Sequence, residues 1–310
     1  ISYSVTGVQT CALPIYQPFR VKKYSVFNVG DDHNYFNSDE DRLNNKKIFH
    51  KVAEKCYLPT NELMLELLNR HPEFKISYSI SGVFLDQAEE YDSRVIESFK
   101  RLVDTKRVEM IDETYYHSLS FLFSRDEFRR QVLKHNKKIF ELFGVKPEVF
   151  RNTELIYNND LAKEIESMGY KGIIAEGVDH ILDWRNPNFV YKPKGTENLK
   201  LLLKNYRLSD DIAFRFSNKG WDGHPLMAET YSKWVSEING NGHLVNLFMD
   251  YETFGEHQWE DTGIFEFLRH LPNEVLKHPD NGFVMPSEAI LHLHVKDEVN
   301  NITNFYGQDN

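Results

Sequence analysis

A chain of 310 residues, 41% hydrophobic and 27% charged, suits one large α/β domain or two small ones and can bury a sizeable core. A formal net charge of −10 argues against a nucleic-acid partner, whose phosphate backbone demands a basic surface. No apolar run approaches the roughly 18 residues of a membrane span, and Cys11 and Cys56 supply neither a disulfide framework nor metal-ligand spacing, so the chain reads as soluble and cytoplasmic, with no membrane partner.

From residue 41 the spacing predicts helix to residue 72, interrupted at Pro59, where Thr60 caps a second segment. Residues 74–87 alternate as a strand and 91–107 return to helix; 108–118 read as a strand running into a loop. Ser124, with Glu127 three residues on, opens a helix that Gly144 closes. Strands follow at 148–157, 171–178, 199–206 and 243–255, with helices at 159–169 and 225–238 between them. Such alternation implies a parallel sheet with both faces covered, and without a dinucleotide glycine fingerprint it favours a barrel in one domain.

A β/α barrel builds its site at the C-terminal ends of its strands. That rule selects Glu154 in FRNTELIY, Asp250, Glu252 and His257 in LFMDYETFGEH, Glu109, Glu113 and His117 in VEMIDETYYHS, and Glu176 in GIIAEGVDH. The strongest case is NLFMDYETFG, where an apolar strand pours directly into carboxylates that are costly to bury unless paired or functional. A structural ion pair with Arg151 is an equal reading of Glu154, a salt bridge is the default for Glu109, and Glu113 and His117 fit local hydrogen bonding as well. Two carboxylates across a barrel mouth are what glycosidic cleavage needs, one as nucleophile and one as proton donor.

FRNTELIYNN and MDYETFGEH resemble conserved regions of glycoside hydrolase family 57, in its α-amylase branch; EKCYLPTNELMLELL, ETYYHSL, IIAEGVDHIL and NFVYKPKG extend the likeness in order across most of residues 16–290. The resemblance implies an incomplete (β/α)7 barrel and a retaining hydrolase of α-1,4-glucans needing no metal or cofactor. Its third region implies Glu154 as nucleophile and its fourth Asp250 as general acid/base, with Glu252 and Glu109 in supporting sugar-binding positions. Loop position adds Glu113, His117 and His257, and aromatic character adds Trp221. A 4-α-glucanotransferase uses the same site with a sugar hydroxyl in place of water. Further alternatives are a metal-dependent deacetylase, on the strength of Asp31-Asp32-His33, and a glucan-binding barrel without turnover.

The family begins with a strand leading into His-Gln-Pro, where this chain has Tyr16-Gln17-Pro18. Residues 6–15 back-translate into what resembles a short-read sequencing adapter, whose next base, T, turns a histidine codon into a tyrosine codon. The expectation is therefore a non-native segment 1–15, a catalytic barrel 16–290 lacking its native first strand, and a truncated or divergent tail 291–310. Tyr16 then stands where a sugar-lining histidine belongs, and bare strand edges leave the fold marginally stable.

Overall fold

The computed structural model describes residues 8–31, 33–36 and 38–299; residues 1–7 of the segment read as foreign, Asp32 and the tail 300–310 lie outside them. Strand β1 (Val8–Ile15) leads through a long loop to α1 (Asn45–Val52), which runs through a π turn (Ala53–Tyr57) into α2 (Leu58–Arg70). β2 (Ile76–Ile80) is followed by α3 (Gly82–Tyr91) and α4 (Ser93–Asp104), and β3 (Val108–Ile111) by α5 (Arg125–Phe143). β4 (Val149–Arg151) leads to α6 (Asn159–Ser167), and β5 (Gly172–Glu176) to the single turn α7 (Asp179–Leu182). The antiparallel pair β6 (Val190–Pro193) and β7 (Lys200–Lys204) precedes α8 (Tyr206–Ala213) and α9 (Ala228–Ser236). After β8 (Leu244–Phe248) come α10 (Ile264–Leu276), β9 (Gly282–Phe283), α11 (Pro286–His292) and β10 (Val295–Val299). Among the described residues no helix is long and apolar enough to cross a membrane.

Seven strands lie parallel in the order β3-β2-β1-β8-β7-β5-β4, which is the expected incomplete (β/α)7 barrel. The ring is thin at two seams. β7 meets β8 through the single pair Lys204–Asn246, because β6 is wedged against β7 below that point. β3 and β4 meet only at the bridge Asp112–Phe150, with Asp112 N donating to Val149 O and Arg151 N to Asp112 O, both at 2.9 Å. Inside, Ala12, Ile111, Val149, Ile174, Leu202 and Phe248 pack together with Ala289 and Ile290 of α11, which stops the lower end.

The central place in the ring is filled by β1, the segment read as foreign. It pairs β8 through residues 8–12 and β2 through residues 12–15, so neither neighbour presents a bare edge there and that ground for marginal stability falls away. Pro14 within it has no N–H to give the ladder. Three other expectations need correction. Residues 82–87 are helix rather than strand, because Val83, Phe84 and Leu85 are buried on all sides and their spacing carries no period. Pro59 does not break α1 from α2: it follows directly on the π turn, whose wider winding lets the helix run on through the proline. Thr60 caps nothing and donates instead to Phe254 O at 3.0 Å. The helix from Ser124 forms as expected, its Oγ accepting from Glu127 N and Gly144 ending it at φ +67°.

The largest core packs β2, β3, β8 and the buried end of β1 against α1, α2, α4 and α10. Phe99 is fully buried at its centre, with edge contacts to Tyr78 and Phe84 and a tilted one to Tyr251. Phe99→Ala should cost about 3–5 kcal/mol in urea unfolding, whereas loss of the exposed cap in Ser124→Ala should cost about 1 kcal/mol.

Candidate active site

The β3/β4 seam is closed mainly by side chains. Arg151, the last residue of β4, is 2% exposed, and its Nη2 donates to both oxygens of Glu113 at 3.1 and 3.2 Å. Its Nε donates to Ser79 Oγ at 2.9 Å, and Ser79 in turn donates to Glu113 at 2.8 Å. Above the pair, Thr153 donates to Ser118 O at 3.0 Å and meets the Thr114 hydroxyl at 3.2 Å, stitching the loops after β3 and β4 together. On the outer side Asp112 bonds His135, Tyr170 and Asn136, and His135 reaches Ile80 O at 2.7 Å.

These loops aim an acid-imidazole-acid line into the barrel mouth. His117 Nδ1 lies 3.1 Å from Glu113 Oε2, and its Nε2 lies 3.3 Å from Glu154 Oε1. Five non-glycine residues among those described have positive φ, and three of them are here: His117 at 51°, Glu154 at 54° and Leu155 at 55°. A left-handed backbone at such side chains costs about 1–3 kcal/mol each and persists only where the surroundings impose it. Burial pushes Glu113 up, but the Arg151 guanidinium and His117 outweigh it and hold the carboxyl at about 2. Burial pushes His117 down, and its bonds to Glu113 and Glu154 more than reverse this. The His117 hydrogen bond then holds Glu154 below the usual carboxylate range. The line presents an ionised, outward-facing Glu154.

A cavity of about 740 Å³ opens above this line. Of the residues expected at the site, Tyr16, His117, Glu154, Glu176, Asp250, Glu252 and His257 line it together. Tyr16 stacks on His117 with ring centroids 4.2 Å apart. Glu113 lies beneath the lining, fully buried, so it supports His117 rather than facing a ligand. Glu109 and Trp221 are elsewhere. Glu109 pairs in register with Ser77 near the lower end of the barrel, accepting from Ser287 N and Oγ at the start of α11, where burial lifts its carboxyl to about 7. Trp221 packs against Trp234, beneath Arg215. Arg151 pairs with Glu113 and not with Glu154, so the structural alternative for Glu154 is not met.

Sequence reasoning passed over Arg151 as a partner of Glu113, and passed over Lys204, which lines the cavity 3.5 Å from Glu176 and 3.8 Å from Asp210. A cation closing a strand end was the available signal for both. Asp31 and His33 lie exposed on the loop after β1, and among the described residues no three His, Cys, Asp or Glu side chains are grouped to hold a metal ion.

Asp250 lies two residues past the end of β8, at the start of a loop that rests on the helix below. Cys56 Sγ lies 3.4 Å from Tyr251 O, Tyr57 OH donates to Glu252 Oε1 at 2.7 Å, and Tyr251 OH donates to Asn61. Gly255, at φ +113°, comes so close that a Cβ there would meet Lys55 O at 2.2 Å. Burial pushes Glu252 up, the Tyr57 hydroxyl opposes this, neighbouring Asp250 adds to it, and the carboxyl settles at about 8.

Residues 14–301 match the family model for glycosyl hydrolase family 57. A relative from Methanocaldococcus jannaschii bearing the name "Putative alpha-amylase" is 51% identical over 256 residues, 82% of this chain and 54% of the relative, so the chain spans about half that relative's length. The 4-alpha-glucanotransferase from Thermococcus litoralis shares the fold at a TM-score of 0.72 and 14% identity, covering 97% of this chain and 43% of that one. The alpha-amylase AmyC from Thermotoga maritima does so at a TM-score of 0.66 and 12% identity, covering 95% and 76%.

Breaking the seam pair should be costly. Arg151→Met leaves Glu113 buried without its cation and should lose about 3–5 kcal/mol in urea unfolding at neutral pH. Glu113 lies below its ordinary 4.5, so its contribution is present above that value and lost as pH falls towards about 2. Unfolding at a series of pH values should show this acid loss in the unchanged chain and not in Arg151→Met, where the unpaired carboxyl keeps its proton.

Proposed function

Because the chain belongs to glycosyl hydrolase family 57, we propose that its cavity cleaves α-1,4-glucan linkages with retention of configuration. The observation that carries the reading is Glu154, ionised by its bond to His117 and facing the same cavity as Asp250. A nucleophilic carboxylate must be charged when substrate arrives, and the buried Arg151–Glu113–His117 line supplies that charge state.

In the first step a Glu154 oxygen attacks the anomeric carbon as the glycosidic C–O bond breaks, and Asp250 gives its proton to the leaving oxygen. In the second, Asp250 takes a proton from water, the water oxygen bonds to the anomeric carbon, and Glu154 leaves as carboxylate. His117 holds the departing and returning charge on Glu154 through Nε2. A sugar hydroxyl in place of water makes the same site a 4-α-glucanotransferase, the activity named for the T. litoralis structure.

Segment 1–15 remains, in this reading, foreign to the protein; the family match starts at residue 14, two residues inside that segment. Tyr16 then occupies a sugar-facing place meant for histidine, with its ring over His117.

Maltooligosaccharide turnover followed by product analysis tests the function. Glucose and shorter oligosaccharides support hydrolysis, and a ladder of longer products moves the assignment to transfer. Proton NMR of the first product should show the α anomer, and a β anomer defeats the two-step scheme. Glu154→Gln should lower kcat by about a thousandfold or more, and Asp250→Asn by about 10²–10⁴. Tyr16→His should raise kcat/KM, and an unchanged or lower value removes the histidine reading of position 16.

A further inference from the structure

The Asp250 loop is short, irregular and mounted from one side. The π turn supplies its contacts: Cys56 to Tyr251 O, Tyr57 to the Glu252 carboxyl, and the Lys55 carbonyl against Gly255. A π turn carries one residue more than an α turn needs, and it rotates the side chains that follow, here Tyr57 towards Glu252. Tyr57 also meets the Gln17 side chain, Gln17 O accepts from Gln87 Nε2 at 2.6 Å, and the Tyr16 backbone favours the Glu252 carboxylate. Glu252 thus stands where β8, β1 and the π turn converge.

Its surroundings are poor in positive charge. Lys51 and Lys55 close on Glu256 at 2.7 and 3.7 Å, and Arg20 on Gln17 and Pro18 O. The titratable groups facing Glu252 are Tyr57 and Cys56 from the π turn, Asp250 and Tyr251 from its own loop, and the Tyr16 end of β1; Glu256 and His257 give their amides to its backbone carbonyl. A carboxylate 7% exposed without a cation at hand is costly, and one two residues from Asp250 adds repulsion.

We propose that Glu252 is a positioning residue for Asp250: clamped to Tyr57 on the π turn, it ties the acid/base loop to the end of β1, and does so as an uncharged carboxylic acid. The proposal rests on the glucan-cleaving reading for its kinetic consequences and on geometry for the clamp itself. Raising the pH through about 8 puts a charge on the buried clamp beside the acid/base, with no cation at hand to offset it. The neutral form is the working one, so activity is present below that pH and lost above it.

The test is kcat and KM on maltooligosaccharide from about pH 5 to about pH 10 for the unchanged chain, Glu252→Gln and Tyr57→Phe, with infrared difference spectra of the carboxyl groups beside them. For the unchanged chain, kcat should fall above about pH 8 with KM unmoved. Glu252→Gln should lower kcat about threefold at neutral pH and move that fall, leaving only the one set by the acid/base's own proton. Tyr57→Phe should lower kcat about tenfold and move the fall to higher pH, because the donor that favours the carboxylate is gone. An unchanged alkaline fall in Glu252→Gln overturns the proposal, and so does a loss beyond about a thousandfold at every pH, which would make Glu252 the proton carrier. If no form turns over any α-glucan, the functional reading fails and the spectra still decide the clamp. A protonated-carboxyl band at neutral pH that Glu252→Gln removes sustains it, and its absence refutes it.

Discussion

Everything at the barrel mouth depends on one buried ion pair, Arg151 with Glu113. A guanidinium 2% exposed and a carboxylate with no exposure at all are tolerable only together, and only because Ser79 and His117 fill the remaining hydrogen-bonding positions. The pair sits where the backbone ladder between β3 and β4 has shrunk to a single bridge, so a polar side-chain contact does the work of strand pairing. It also fixes the charge of what lies above. Glu113 stays ionised, so His117 is drawn towards its cation; His117 is drawn towards its cation, so Glu154 is held as an anion. The strained backbone at His117 and Glu154 shows the same constraint from the other side, since both residues occupy conformations that their own preferences disfavour.

Across the cavity the chemistry is opposite. The β8 loop meets a hydroxyl, a thiol and peptide groups from the π turn, and Glu252 is pushed towards its neutral form there. One wall therefore stabilises a carboxylate and the other a carboxylic acid. The difference follows from where a single buried arginine has been placed.

Much of this was legible in the sequence because it is local. The alternation of strands and helices, the Ser124 and Gly144 ends of α5, and the acidic terminus of β8 are each written within a dozen residues. What was missed is what depends on pairing. Nothing near Arg151 says that its partner lies on β3 rather than three residues away at Glu154. Glu109 has the same local appearance as Glu113, yet sits four residues earlier, at the other end of the barrel against Ser287. Trp221 looked like a sugar platform because aromatic character is visible in sequence and burial against Trp234 is not. The π turn hides behind Pro59, which normally announces a break. The strand formed by residues 8–15 pairs on both sides even with Pro14 among them.

The seam between β3 and β4 has one more consequence. A ring laced by backbone hydrogen bonds all the way round is stiff in every direction, because widening it anywhere means breaking a ladder. Here the ring is laced on most sides and merely buttoned at two, of which the β3/β4 seam is one. Spreading the mouth at that point strains side-chain contacts and a single bridge, and leaves the neighbouring ladders intact. Compliance is thus concentrated at two places in the ring, one beside Glu154 and one where β7 meets β8, while the Asp250 loop itself stays braced by the helix beneath it.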